Sequence, residues 1–487
     1  MVAQGRWRLW TPLAVAILIA IAPVPHGLPE YAWYYFAIFA GVVVGLILEP
    51  FPAAAVGLMG VTATAVLSKW ALFSPIELAR PGFSAASRSI EWALSGFANS
   101  TIWLSFAAFM FAVGYQKTGL GRRIALLLVR ALGGRTLSLG YAIVLADAIL
   151  APFTPSNTAR SAGTIFPIIQ NLPPLYDSHP FSPSARKIGG YIMWNALAAT
   201  SVTSSLFLTA LAPNLLALEF IRSATGADIT WMQWFLAGAP AGVILLLTLP
   251  ILTYVFYAPQ TAEGGQAPDW AAGELKALGD PSRSEYLLAA LVILAVLLSA
   301  FGSAYLSPTT AALVVVSLML LSGVVTFDDV VSNREAWKAL MLMATLVTLA
   351  EGLSGTGFVR WFAEGAAGGM AGMSPLLIVI LLTTTYFFTH YLFASITAHV
   401  TAMMPIMLSG GANIPGLPLT QFALLLALTH GFMGVLTPYA TTSGPVYLGS
   451  GYITSAEFWR LGAIFGALFL VALLALSAPV LFWMRWI

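Results

Sequence analysis

The run Ser156-Asn157-Thr158-Ala159-Arg160 sets hydroxyls, an amide and a guanidinium side by side, and Ser395-Ile396-Thr397-Ala398-His399 repeats the pattern in the second half of the chain. Each is a polar, Ser/Thr-bearing knot that ends in a residue able to carry positive charge. Each interrupts sequence that otherwise reads as lipid-facing or tightly packed helix. Neutral donors beside a cation, offered from two places, suit a small anion such as a carboxylate.

The surroundings of the two phrases define the class of protein. The 487 residues are 59% hydrophobic and only 8% charged, far from the roughly 25% charge of soluble domains. The expected fold class is an all-α polytopic membrane protein. A net charge of +2 without a basic run gives no footing for nucleic acid. With no cysteine, disulfides, thiolate catalysis and cysteine metal sites are excluded. Arg6 and Arg8 before the apolar stretch from Thr11 to Pro23 have the outline of a signal peptide, but hydrophobicity continuing through Glu49 favours a retained first span.

Apolar spans of about 20 residues fall near 11–28, 31–49, 52–69, 99–116, 188–222, 232–258, 284–306, 307–325, 337–355, 417–450 and 457–484. Two more stretches, about 136–170 and about 374–410, carry the repeated phrase at their middles. Pro152 and Pro155 stand just before the first phrase and should stop a helix there, since each lacks a backbone donor and crowds the preceding turn. The second stretch has no proline at the matching place, so its break is expected from the repeat alone. Both are read as re-entrant helical hairpins, beside about 11 transmembrane helices.

Charge placement agrees. If the first hairpin does not cross and Arg6 and Arg8 are cytoplasmic, then Lys117, Arg122, Arg123, Arg130, Arg135, Arg186, Lys187, Arg334 and Lys338 all fall inside. So does the hydrophilic segment 259–283, read as a cytoplasmic linker between a first half, 1–258, and a second half, 284–487. The halves echo each other: Thr118-Gly119-Leu120-Gly121-Arg122 returns as Thr356-Gly357-Phe358-Val359-Arg360 at a lag of 238, and the Ser-x-Thr-Ala phrase returns at a lag of 239. Five spans separate equivalent helices, and an odd number inverts the second copy. Inverted repeats with interrupted helices are the architecture of secondary transporters. The first hairpin would enter from the cytoplasm, the second from outside, and their tips would meet. A tip exposes backbone N–H groups at the start of its returning helix, which attract anions; alternatively, the Ser and Thr residues simply cap those helices.

The run Thr154-Pro155-Ser156-Asn157-Thr158-Ala159-Arg160, followed by Gly163-Thr164-Ile165-Phe166-Pro167, resembles the signature of the divalent anion:sodium symporter family, also called INDY-type transporters. Ala212-Pro213-Asn214 and Leu436-Thr437-Pro438-Tyr439, with Gly444-Pro445 and Gly449-Ser450-Gly451-Tyr452, resemble the two broken-helix loops of that family. The resemblance covers nearly the whole chain. It implies a homodimer with a fixed scaffold domain and a mobile transport domain, working as an elevator, and it implies that Asn157, Thr158 and Thr397 touch substrate carboxylates. Sodium-coupled members carry Ser-Asn-Thr at both tips, whereas this chain has Ile396 at the middle of the second. Ser-x-Thr-Ala-His is instead similar to the exchanger branch, which includes bacterial citrate/succinate and tartrate/succinate antiporters and the plastid 2-oxoglutarate/malate translocator.

The expected substrate site is therefore Ser156, Asn157, Thr158, Ser395 and Thr397, with Pro213 and Pro438 marking unwound helix whose carbonyls are free. A dianion entering low dielectric needs positive company. Arg160 and His399, at equivalent places after the tips, are the expected charge compensation in place of sodium. Arg160 pairing with Asp147, and His399 as a satisfied helix residue, are the structural alternatives. His390 and His430 lie nearby and are expected to bond neighbouring helices. No HExxH and no facing pair of Asp motifs occurs, so an enzyme is excluded, and neither cofactor nor metal is expected. The expected function is exchange of di- or tricarboxylates of the malate, succinate, 2-oxoglutarate, citrate or tartrate class. A sodium-coupled dicarboxylate symporter is the alternative, and an anion channel, which needs no inverted halves, the more distant one. The partners are small carboxylate anions, the lipid bilayer and a second copy of the chain. The expected location is a plasma membrane, bacterial inner, crossed many times.

Overall fold

The computed structural model describes residues 6–260, 265–301, 305–367 and 373–483. These residues form helices and connecting turns, with no strand among them. Among the described residues six helices are each long and apolar enough to cross a bilayer: Glu30–Leu48, Thr136–Phe153, Trp231–Phe256, Arg334–Gly355, Pro375–Leu392 and Ser455–Trp483. Every apolar stretch read from the sequence contains helix; residues 302–304 and 484 of those stretches, and 261–264 of the expected linker, lie outside the described residues. In a membrane a backbone polar group without a partner costs several kcal/mol, so helices, which bond their own backbones, are the form such apolar segments take.

Both expected interruptions are present. The first arm, Thr136–Leu150, tightens into a turn at Ala151–Phe153, and the chain is not helical again until Thr158–Ile165, which is wound as a π-helix and continues as Phe166–Ile169. Wide turns of that kind release a backbone bond and recur at functional sites. The second arm, Pro375–Thr389, tightens at His390–Leu392, and the returning helix is Ile396–Ala412. The motif repeated at the lag of 238 is a helix stop. Ser100–Thr118 ends on Gly119 at φ 78°, and Arg334–Gly355 is followed by Gly357 at φ 87°, the left-handed conformation that glycine adopts without strain. Amphipathic helices follow each stop, Leu120–Leu132 and Phe358–Ala367.

Segment 259–283 contains a helix, Gln266–Leu278, which the Gly, Ala, Asp and Glu content did not announce. It turns Ala267, Ala271 and Leu275 inward, and Glu274 pairs with Arg122 of the Leu120–Leu132 helix at 2.7 Å.

Two further helices are broken. Gly189–Leu206 is buried along its whole length and opens through extended Phe207, a turn at Leu208–Ala210 and extended Leu211 before Ala212–Thr225. Leu419–Phe432 gives way to a turn at Met433–Val435 and an irregular stretch to Ser443 before the short helix Gly444–Gly449. The two cross where they are about to break. A Cβ at Gly431 would stand 2.3 Å from the Ser205 nitrogen and 2.5 Å from the Ser201 carbonyl oxygen, so only glycine lets these backbones touch. Pro213 was expected to mark unwound helix, but it sits in the first turn of Ala212–Thr225 and the unwound segment precedes it. A proline's fixed φ and missing N–H suit a helix start. Pro438 does lie in the non-helical stretch.

Candidate functional site

The first tip is held by a buried ion pair. Arg160 and Asp147 are 0% and 1% exposed, and Arg160 Nε lies 3.3 Å from Asp147 Oδ1. Such a pair survives burial only when its remaining donors and acceptors are also engaged, and here they are. Arg160 Nη1 donates to the carbonyls of Thr154 and Ala210 at 2.9 and 3.0 Å, and Nη2 donates to Asn157 Oδ1 at 3.1 Å and Ser204 Oγ at 2.9 Å. Asp147 accepts from the hydroxyls of Thr200 and Thr203. One guanidinium therefore ties the hairpin to the broken helix Gly189–Leu206 and to its loop. Arg160 was expected to offer charge to an anion; its charge is directed inward, to Asp147.

That network fixes the side chain beside it. Asn157, also buried, accepts through Oδ1 from Arg160 and from Ser204 at 2.8 Å, so its amide nitrogen is turned the other way, toward Thr441 Oγ1 at 3.5 Å. Thr158 is exposed and its hydroxyl meets that of Thr442. Ser443 Oγ donates to the Asn157 carbonyl at 3.1 Å. Ser156 is half-buried and its Oγ accepts from the Ala159 N–H at 3.3 Å.

The second tip is held mostly by packing. Ser395 caps its returning helix, accepting from the Ala398 N–H at 3.4 Å. Ile396 is buried where the first tip has Asn157. Half-buried Thr397 makes no side-chain hydrogen bond to any described residue. His399 is 0% exposed and bonded through Nε2 to Thr389 at 3.1 Å, among the rings of Tyr386, His390 and Phe393 with centroids at 4.5, 5.2 and 5.1 Å. His390 reaches further: its Nε2 lies 3.0 Å from the Ala440 carbonyl. A carbonyl only accepts, so that nitrogen carries the proton. His430 bonds Tyr386 at 2.9 Å. Both therefore bond neighbouring segments.

One loop joins the tips. Residues 439–443 contact the first hairpin through Thr441, Thr442 and Ser443 and the second through Ala440 and Tyr439, whose hydroxyl donates to the Tyr391 carbonyl at 3.1 Å. Thr437, buried in the same stretch, has a hydroxyl without a partner among the described residues. The other loop contacts the first hairpin alone among these bonds: Thr209 Oγ1 donates to the Pro152 carbonyl, and the Ala212 N–H to the Pro155 carbonyl at 3.1 Å. The structure thus brings Asn157 and Thr158 to Thr441, Thr442 and Ser443, just after Pro438, and brings His390 and Tyr391 of the second hairpin to Ala440 and Tyr439 of the same loop; Ser156 and Ser395 bond within their own tips. Sequence reasoning stopped at Thr437 and Pro438 and missed Thr441, Thr442 and Ser443. The available signal was a run of three hydroxyl residues in an apolar stretch just after a helix-breaking proline. Among the described residues no cluster of His, Asp and Glu is set to hold a metal ion.

The family described as the sodium:sulfate symporter transmembrane region matches residues 3–487. The chain belongs to that family. It is 49% identical over 467 residues to L-tartrate/succinate antiporters of Shigella sonnei and of Escherichia coli K12, with 96% of this chain and 96% of each relative covered. Among solved structures it is similar to the Alcanivorax borkumensis YdaH transporter, with a TM-score of 0.57 over 94% of this chain and 99% of that one. At 15% identity that likeness is one of fold. The family member described here is accordingly a multi-pass membrane transporter and not an enzyme.

Proposed function

We propose that this chain exchanges one dicarboxylate for another, of the tartrate and succinate class, across a bacterial inner membrane. The observation that carries this reading is the unequal pair of tips on one shared loop, in a chain that is 49% identical to antiporters. The first tip presents the Asn157 amide with the Thr158, Thr441 and Thr442 hydroxyls, all neutral donors suited to a carboxylate. The second presents Thr397, while buried Ile396 supplies no oxygen for sodium. Ser156 and Ser395 serve as caps that hold the returning helices beside the anion.

Arg160 serves by position, holding the Asn157 oxygen so that the amide nitrogen faces the loop. Beside an Arg160–Asp147 pair that cancels its own charge, His399, with His390 packed against it, is the titratable group of the second tip that can accompany a dianion. About 11 crossing helices and two re-entrant hairpins, arranged as inverted halves, 1–258 and 284–487 about the linker, complete the reading. Each half contributes a hairpin and a broken helix to a mobile domain moving against a scaffold, in a homodimer, with Lys117, Arg186, Lys187 and Arg334 on the cytoplasmic side.

The test is counterflow. Vesicles containing the purified chain and loaded with unlabelled succinate should accumulate labelled L-tartrate or succinate, and empty vesicles should not, with or without a sodium gradient. Sodium-driven uptake into empty vesicles would sink the exchanger reading in favour of symport.

A further inference from the structure

A cavity of about 520 Å³ opens beside the first tip. Ser156, Thr158 and Gly163 line one wall, and Asp329, Asn333 and Arg334 belong to the other. Glu335 also faces it, so two of its charged groups would repel an anion. Both carboxylates are answered by dedicated lysines. Lys117 bonds Asp329, which also closes a capping box with Thr326, and Lys338 bonds Glu335 at 2.9 Å. Asn333 spends its side-chain oxygen on the Ala336 N–H. Arg334 forms no ion pair and no side-chain hydrogen bond with any described residue, and it is exposed. The free charge left on this cavity is one guanidinium, facing the space onto which the exposed Thr158 hydroxyl opens.

We infer that Arg334 is a substrate-recruiting residue of the cytoplasmic vestibule, engaging one carboxylate of the dianion as the other approaches Thr158 and Asn157. The guanidinium suits this because it is permanently charged and its planar fork matches a carboxylate. In a water-filled cavity such a charge raises the local anion concentration and the rate of capture, an effect that salt screens. Arg334 is on the long helix Arg334–Gly355 rather than on the hairpin. It would therefore act at one membrane face only and be left behind when the hairpin carries the anion across. This rests on the exchange reading and names the residue through which the inner face of that site is loaded.

The experiment compares inside-out with right-side-out membrane vesicles containing the full chain, using labelled succinate counterflow. Arg334→Gln should raise the KM at the cytoplasmic face about fivefold or more and leave the KM at the outer face and the maximal rate within about twofold. Arg334→Lys should recover much of the loss. Wild-type protein should show a KM at the cytoplasmic face that climbs as salt rises from about 20 to about 300 mM, a dependence flattened in Arg334→Gln. Should the glutamine variant fail to reach the membrane, the salt dependence of the wild type at its two faces decides by itself. An unchanged KM at the cytoplasmic face, an equal rise at both faces, or equal salt dependence at both faces overturns the inference. Wild-type vesicles without succinate counterflow overturn the exchange reading instead, which separates the two failures.

Discussion

The two tips share a spelling and differ in what holds them. In the first, a buried ion pair and several hydroxyls fix Asn157, so its geometry is set by hydrogen bonds that tolerate little displacement. In the second, rings pack around His399 and Ile396 fills the matching place, so its geometry is set by shape. Both tips place a capping serine before the returning helix, and they differ in the residue that follows it, Asn157 in one and Ile396 in the other. The capping role is local to each helix start, whereas the residue after it is held by groups from distant segments only in the first tip.

The sharpest way to break this comparison is to remove the ion pair. Arg160→Ala strands the Asp147 carboxylate and should cost about 3–5 kcal/mol of stability, seen as a large loss of folded protein and of thermal midpoint in detergent. Arg160→Met with Asp147→Leu should recover much of that stability without recovering exchange, because Asn157 loses its holder; a double variant that exchanges normally would reduce Arg160 to a structural residue. Swapping the middle residues comes next. Asn157→Ile leaves Arg160 and Ser204 short of an acceptor, at about 1–3 kcal/mol, and should slow counterflow by about tenfold or more, since a factor of ten is about 1.4 kcal/mol. The reciprocal Ile396→Asn should stay independent of sodium, because the residue matching Arg160 is His399, whose Nε2 is bonded to Thr389, and Ser395 is engaged as the helix cap. Sodium-stimulated uptake by that variant would mean that the tips are interchangeable.

Smaller effects test what the tips share. Ser156→Ala and Ser395→Ala should each cost about 1 kcal/mol, and a much larger loss of transport at one of them would assign that serine to the anion as well as to the helix. The smallest effect concerns the vestibule wall. The Lys117 ammonium, with the Thr326 N–H and hydroxyl, holds the Asp329 carboxyl down from 3.8 to about 2. Its folded pKa lies below its unfolded one, so its contribution is complete above about pH 4 and fades only as pH falls toward 2. Lys117→Met should therefore lower stability by no more than about 1 kcal/mol and leave the pH profile of exchange between about 5 and 8 unchanged.

The sequence announced the places where helices stop better than it announced what happens there. Pro152 and Pro155 forecast one break, and the repeat alone forecast the other near Ser395; both are present. The Thr-Gly pair at the lag of 238 was legible as a repeat, and its physical meaning, a left-handed helix stop, appears only with the backbone. Arg160 was legible as a special residue, with Asp147 as a possible partner, but not as the holder of Asn157, because that role depends on Ser204 and Ala210 from a distant helix and loop. Thr441, Thr442 and Ser443 were missed because hydroxyl residues are common in membrane helices, and nothing local says that a hairpin 284 residues earlier in the chain touches them. The helix Gln266–Leu278 was hidden because its stability comes from lying on another amphipathic helix, a tertiary effect that composition does not carry.

Gly431 has a wider reach than its size implies. It seats the helix Leu419–Phe432 directly on the backbone of Gly189–Leu206, against Ser205 and one residue before each helix ends, so the two irregular segments start from one shared crossing. If the two helices move across the bilayer as the exchange reading requires, that crossing makes them move together. A carboxylate cradled there would meet the same constellation of hydroxyls whichever compartment it came from, and any difference in apparent affinity between the compartments must then arise along the approach rather than at the resting place.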